Sequence, residues 1–140
     1  MMTRIVRRLS LLALAAAAAC SDSTGPQQSR AAVAGAYFLA SVNGEALPSS
    51  DPYAPISGTI SLWPTGHAER RISYRLSDGR TQSDVATGTF VVEDGRVILA
   101  LRYEQGNYPW TVTADVDGST LTMSYPGPAD GTIVERYRRL

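Results

Sequence analysis

The sequence predicts an all-β domain, an eight-stranded antiparallel up-and-down barrel, and three observations carry that prediction. Apolar and polar residues alternate with a period of two in successive short segments, whereas no helical period persists over three turns. Turn-forming pairs such as Asn43-Gly44 and Asp117-Gly118 separate these segments at short intervals. An open meander of eight strands would leave two exposed edges, so closure into a barrel is favoured over the alternative, a two-sheet sandwich.

Each predicted strand is bounded by a turn signal. The strands are residues 35–42, 56–63, 68–76, 84–92, 96–103, 108–116, 120–125 and 132–139. In the third strand, Ile72 and Tyr74 face the core, while Arg71 and Arg75 face solvent. The clearest hairpin signal is Glu93-Asp94-Gly95, because an Asp-Gly pair tolerates the positive φ of a tight turn.

Residues 1–19 are predicted to be an export signal. Three arginines within residues 1–8 precede an apolar run, and small residues follow it up to Cys20. The run is shorter than the about 20 residues that a membrane-spanning helix needs. Ala17-Ala18-Ala19-Cys20 resembles the lipobox of bacterial lipoproteins, with Ala17 where Leu is usual. The resemblance implies lipidation of Cys20; the alternative is cleavage by the ordinary signal peptidase, which leaves a soluble protein.

The lipobox resemblance also predicts location and domain organisation. Ser21 and Asp22 after the cysteine fit a lipid-anchored protein of the cell envelope, sorted to the outer membrane and facing the periplasm. Residues 21–30 contain no apolar residue that folding could bury. We therefore expect a signal peptide at 1–19, the lipidated Cys20 with a flexible tether at 20–31, and a barrel domain at 32–140.

Composition excludes several functional classes. Three of the 13 basic residues and none of the 13 acidic residues lie in the signal, so the mature chain carries a net charge of −3. A nucleic-acid partner is therefore not expected, because such proteins normally carry a basic excess. Cys20 is the only cysteine. Once it is lipidated, no thiol remains for a disulfide, a catalytic thiolate or a zinc site, and no metal or cofactor is predicted.

Several short motifs resemble the small lipocalin-like, calycin-type domains of bacterial lipoproteins. They are Gly35-Ala36-Tyr37 with Leu39, Val42-Asn43-Gly44, Leu47-Pro48, Gly88-Thr89-Phe90 with Glu93-Asp94-Gly95, and the closing Glu135-Arg136-Tyr137-Arg138-Arg139. The likeness covers residues 33–140. In that family a Trp of the first strand and an Arg near the last strand close one end of the barrel. Tyr37 stands in the Trp position here, and Arg136, Arg138 and Arg139 are all candidates for the arginine.

Aromatic side chains on the apolar side of the strands are the candidate ligand-binding residues. They are Tyr37, Tyr74, Tyr103, Trp110 and Tyr125. An eight-stranded barrel is just wide enough to be filled by side chains or to hold one small ligand. These rings are therefore expected either to fill the interior or to line a pocket for a small apolar molecule.

Three further features bear on function. Trp63 lies off the apolar face of its strand, where it could contact a partner. His67, the only histidine, is the only possible base of a Ser-His-Asp arrangement. The arginines at positions 70, 71, 75 and 102 and in the last strand are expected on a solvated outer face, with an anionic partner as the alternative.

These observations lead to one expected function and two alternatives. We expect a non-enzymatic lipoprotein, held at a membrane through the lipid on Cys20, whose barrel binds a small apolar ligand in the cell envelope. The first alternative is a structural or protein-interaction module with a packed core and an envelope protein as its partner. The second is a hydrolase that uses His67.

Overall fold

A single sheet closes on itself in the computed structural model, which describes residues 29–49 and 55–140. The strands are β1 Gly35–Val42, β2 Glu45–Ala46, β3 Pro55–Leu62, β4 His67–Arg75, β5 Thr81–Glu93, β6 Arg96–Tyr103, β7 Pro109–Asp117, β8 Thr120–Pro126 and β9 Thr132–Arg139. Eight long strands follow one another in chain order, every pairing is antiparallel, and β9 returns to pair with β1. The predicted all-β class and eight-stranded barrel are confirmed.

The strand boundaries differ from the predicted ones by at most three residues, the largest shift being the start of β5 at Thr81. Three short elements were not predicted, and one of them is a 3₁₀ turn at Pro128–Asp130 between β8 and β9. The strand β2 pairs with the end of β1, where Ser41 lies opposite Ala46. A one-turn helix, α1 Arg30–Val33, precedes the barrel and crosses the predicted boundary at residue 32. The predicted signal peptide and Cys20 lie outside the described residues.

The alternation of apolar and polar residues along each strand produces the core, because successive side chains point to opposite faces of a sheet. The largest fully buried apolar side chains of the interior come from seven strands: Tyr37, Ile60, Ile72, Phe90, Val97, Leu99, Leu121, Met123 and Tyr137. Each occupies a position of the same parity as the other inward residues of its own strand. The inward face of every hairpin was therefore predictable from the apolar pattern alone.

One end of the barrel is covered by α1, and we call it the sealed end. Val33 of α1 is buried, and its carbonyl oxygen accepts a hydrogen bond of 2.7 Å from the Tyr37 hydroxyl. Arg139 Nη1 donates to the carbonyl oxygens of Ala32 and Ala34, both at 3.1 Å. The Arg139 guanidinium carbon also lies 5.7 Å from the centroid of the Tyr37 ring. Among the three candidate arginines, Arg139 is therefore the one that stacks on Tyr37.

The barrel wall is hydrogen-bonded unevenly from end to end. At the sealed end, residues 35–38 of β1 pair with β3, and residues 120–123 of β8 pair with β7. Toward the opposite end, neither β1 with β3 nor β7 with β8 forms a ladder within residues 29–49 and 55–140. The wall thus divides there into two sides, one built from β3 to β7 and the other from β8, β9, β1 and β2.

Candidate functional site

The interior contains a buried ion pair between the two sides of the barrel. Arg70 of β4 and Glu135 of β9 are 2% and 1% exposed, and Arg70 Nη2 lies 2.7 Å from Glu135 Oε1. The sequence-based expectation that Arg70 lies on the solvated outer face was wrong. Position 70 has the same parity as Ala68 and Ile72, both of which are fully buried, so the strand period directs this arginine inward whatever its charge.

Tyrosine hydroxyl groups donate hydrogen bonds to the buried carboxylate of Glu135. Tyr125 donates to Glu135 Oε1 and Tyr137 donates to Glu135 Oε2, both at 2.7 Å. Both oxygens of the carboxylate therefore accept at least one hydrogen bond from a neutral hydroxyl in addition to the contact with Arg70. A carboxylate taken out of water needs such partners, because an unsatisfied buried charge is strongly destabilising.

Each of the three guanidinium nitrogen atoms of Arg70 also has a hydrogen-bond partner. Its Nη1 donates to the Tyr103 hydroxyl at 2.7 Å, and its Nε donates to the Tyr137 hydroxyl at 3.3 Å. Its carbon lies 4.9 Å from the centroid of the Trp110 ring, a cation–π distance. Since Tyr103 and Trp110 belong to the side of Arg70, and Glu135 and Tyr137 to the other side, this network joins the two sides of the wall across the interior.

The protonation states of the network follow from its burial. Burial raises the pKa of Tyr103 to about 12, although nearby Arg70 acts in the opposite direction. Burial and the negative charge of Glu135 raise the pKa of Tyr125, and burial is also the largest cause of the raised pKa of Tyr137. Burial opposes the charge of Arg70, but Tyr137, Glu135 and Tyr103 together raise its pKa above the ordinary value. At neutral pH the tyrosine hydroxyl groups are therefore protonated and Arg70 is a cation.

These shifts predict cooperative alkaline unfolding. Five tyrosines have a raised pKa in the folded protein: Tyr37, Tyr74, Tyr103, Tyr125 and Tyr137. A group whose folded pKa is raised contributes stability below its unfolded pKa, near 10 for tyrosine, and loses it as pH rises through the folded pKa, about 12 for Tyr103. We expect tyrosinate absorbance and loss of far-ultraviolet circular dichroism to rise together in this range. Titration of all the tyrosines in a chain that stays folded would contradict the expectation.

Aromatic rings gather at the end of the barrel opposite α1, which we call the aromatic end. Tyr103 and Tyr108 are stacked with ring centroids 4.7 Å apart, and Tyr103 lies 6.0 Å from Trp110. Trp110 meets Tyr125 edge to face at 5.4 Å, across the unpaired stretch between β7 and β8. Tyr108 is 51% exposed, whereas the other three are partly buried. The result is a partly exposed aromatic surface in contact with the Arg70–Glu135 pair.

The five predicted ligand-binding residues do not form one group. Tyr74, Tyr103, Trp110 and Tyr125 lie at or toward the aromatic end and are all partly buried. Tyr37 lies at the sealed end, fully buried and hydrogen-bonded to α1. The structure thus brings four of the candidates together and separates the fifth from them.

Sequence reasoning missed the polar part of this site. Arg70, Glu135 and Tyr137 were not candidates, although their inward parity was visible next to Ile72 and beside the alternating residues of the last strand. The charge of Arg70 was taken as a reason for exposure, and that assumption hid the signal. Tyr108 shares the apolar face of Trp110 in the sequence and joins the cluster in the structure.

His67 and Trp63 lie away from the aromatic end. The two rings pack against each other with centroids 4.9 Å apart, at the beginning of β4 and just after β3. Trp63 is 41% exposed, in agreement with the expectation that it lies at the rim or surface. No group of three or more His, Cys, Asp or Glu side chains within the described ranges is placed to hold a metal ion.

Comparison of this chain with protein-family models, with curated proteins and with solved structures finds no match. Within the part of the chain that the structure describes, no helix has the length and apolar character needed to cross a bilayer.

Proposed function

We propose that this protein is a non-enzymatic, lipid-anchored protein of the cell envelope, with a lipocalin-like barrel that binds a small apolar molecule at its aromatic end. One observation carries the binding proposal: partly buried and exposed aromatic rings converge at one end of the barrel, above an ion pair that is already satisfied. Apolar surface with a few fixed polar groups beneath it is typical of small-molecule sites.

The network beneath the rings limits the size of the ligand. Arg70 and Glu135 occupy the middle of the interior, and their polar atoms are bonded to tyrosines or to each other. A ligand that penetrated further would have to break these contacts at a cost of several kcal/mol. The proposed ligand therefore rests on Tyr103, Tyr108 and Trp110 and does not fill the barrel from end to end.

The proposed anchor places the aromatic end away from the membrane. The chain enters the barrel through α1 at the sealed end, and the nine peptide units from Cys20 to Ser29 reach at most about 30 Å. Lipid chains on Cys20 would hold this end near the bilayer, since two chains suffice for stable attachment. The aromatic rings, at the far end of strands of about eight residues, would then face the aqueous side.

A binding experiment tests the proposal directly. The chain with Cys20→Ser, which carries no lipid and is purified without detergent, is examined by native mass spectrometry and then titrated with N-phenyl-1-naphthylamine, a neutral apolar fluorophore. We expect saturable binding that the Trp110→Ala and Tyr108→Ala variants weaken at least tenfold, the equivalent of about 1.4 kcal/mol. Trp63→Phe is the matched control, because it alters the other tryptophan, at the sealed end. Equal binding by all variants would contradict the proposed site.

A packed interaction module is the second candidate, and the filling of the sealed half favours it. Large, fully buried side chains such as Tyr37, Phe90, Leu99 and Tyr137 occupy the interior there. A bare polypeptide mass together with no fluorophore binding would favour this candidate, whose partner would be an envelope protein. The third alternative is a hydrolase that uses His67, with its site at the rim beside Trp63. A His67→Ala variant whose hydrolytic activity equals that of the parent would remove this alternative.

A further inference from the structure

A cavity of about 400 Å³ lies on the outside of the barrel wall, where β1, β2, β8 and β9 meet. Its polar lining residues are Arg136, Arg138, Ser41 and Thr120. The remaining lining residues are small: Ala40, Gly44 and Ala46. Small side chains leave the space open, and a volume of this size lies within the range of small-molecule sites.

The sheet register explains why two arginines share this surface. Glu135 and Tyr137 of β9 point inward, so the alternating Arg136 and Arg138 point outward and both are exposed. Arg138 lies opposite Thr120 of β8, and Arg136 lies opposite Ser41 of β1. Residues two apart on a strand are about 6.7 Å apart, a distance at which both guanidinium groups can reach a single anion.

Neither arginine is neutralised by the rest of the described chain. The ion pairs within residues 29–49 and 55–140 join Arg70 to Glu135, Arg71 to Glu69, Arg80 to Asp78 and Arg96 to Asp115. The side chains of Arg136 and Arg138 have no hydrogen bond or ion pair to another described residue, although their backbones pair with β1 and β8. Two like charges on neighbouring outward positions repel each other, so an anion bound between them would be stabilised by both.

From this geometry we infer that the cavity is a binding site for a phosphate group. Guanidinium groups donate paired, charge-assisted hydrogen bonds to phosphate oxygens, and the hydroxyls of Ser41 and Thr120 supply further donors. The phosphate can belong to a lipid headgroup or to a soluble phosphate ester, because both present the same oxygens. This site is separate from the aromatic end and does not depend on the proposed apolar ligand.

The test uses the mature chain and its Arg136→Gln/Arg138→Gln variant, with Arg71→Gln/Arg75→Gln as the control. The control removes the same net charge from exposed positions of β4, outside the cavity. In the first arm, glycerol 3-phosphate is titrated while the arginine side-chain NMR signals are followed. We expect saturable shifts of Arg136 and Arg138, at least tenfold weaker binding by their double variant, and binding within twofold of the parent by the control.

The second arm distinguishes the two sources of phosphate. Vesicles of phosphatidylglycerol and phosphatidylcholine are compared with vesicles of phosphatidylcholine alone in a sedimentation assay, using a chain with Cys20→Ser so that no lipid anchor contributes. Vesicle binding that the cavity variant loses and the control keeps assigns the site to a lipid headgroup. Binding of glycerol 3-phosphate alone assigns it to a soluble ester. Binding in neither arm, or equal loss in the control variant, overturns the inference.

Discussion

The Glu135→Gln variant is expected to lose about 3–5 kcal/mol of unfolding free energy, measured by urea denaturation. The substitution keeps the shape of the side chain but leaves the Arg70 cation buried without its counter-charge. An arginine side chain stays protonated in proteins at neutral pH, so the guanidinium cannot escape the penalty by losing its proton. Arg70→Met is expected to cost a similar amount, because it leaves the Glu135 carboxylate buried without its counter-charge.

The double variant Arg70→Met/Glu135→Leu separates the cost of an unpaired charge from the net value of the pair. Well-packed apolar residues often replace a buried ion pair with little loss, so we expect the double variant to be more stable than either single variant. Arg96→Gln is the control for an exposed pair, since Arg96 and Asp115 are 62% and 70% exposed. Its cost should stay below about 1 kcal/mol. Additive losses in the double variant would contradict this account.

Gly88→Ala is expected to destabilise the barrel by about 3 kcal/mol. In the middle of a strand alanine is ordinarily favoured over glycine, so the expected sign is the opposite of the general preference. A Cβ atom at position 88 would overlap the carbonyl oxygen of Ala100 and lie 3.0 Å from the Cα atom of Leu101. Both are backbone atoms of β6, which means that the two strands would have to separate.

The measurement is again urea denaturation, with Thr89→Ala as the control on the same strand. Thr89 is exposed, and its substitution should change the unfolding free energy by no more than about 0.5 kcal/mol. An alanine at position 88 that leaves the stability unchanged would show that β5 and β6 can adjust at this point without cost.

The regular parts of the fold could be predicted because they depend on local pattern. The alternation around Val97, Leu99 and Leu101 and the Asp94-Gly95 turn give the β5–β6 hairpin almost its observed limits. Closure of the barrel was predicted because an open sheet would leave two strand edges exposed. These inferences need only strand periodicity and turn chemistry.

The site could be predicted only in part, because it depends on which distant residues meet. The four rings at or toward the aromatic end were identifiable from their apolar faces. Arg70 and Glu135 are 65 positions apart, and nothing in the local pattern of either strand indicates that the other will neutralise it. The helix α1 was also missed, since its four residues are too few to show a helical period and its position is held by Arg139 from the last strand.

The pairing of β1 with β9 makes the barrel's formation depend on both ends of the domain. Tyr37 lies opposite Arg139, so closure joins segments separated by roughly 100 residues and carries the loop-closure entropy of that whole length. Contacts between residues this far apart in the chain slow folding. Until the last strand has been synthesised, β1 lacks its neighbour β9, and Arg70 lacks the carboxylate of Glu135. A chain shortened before this strand therefore cannot form a barrel of comparable stability.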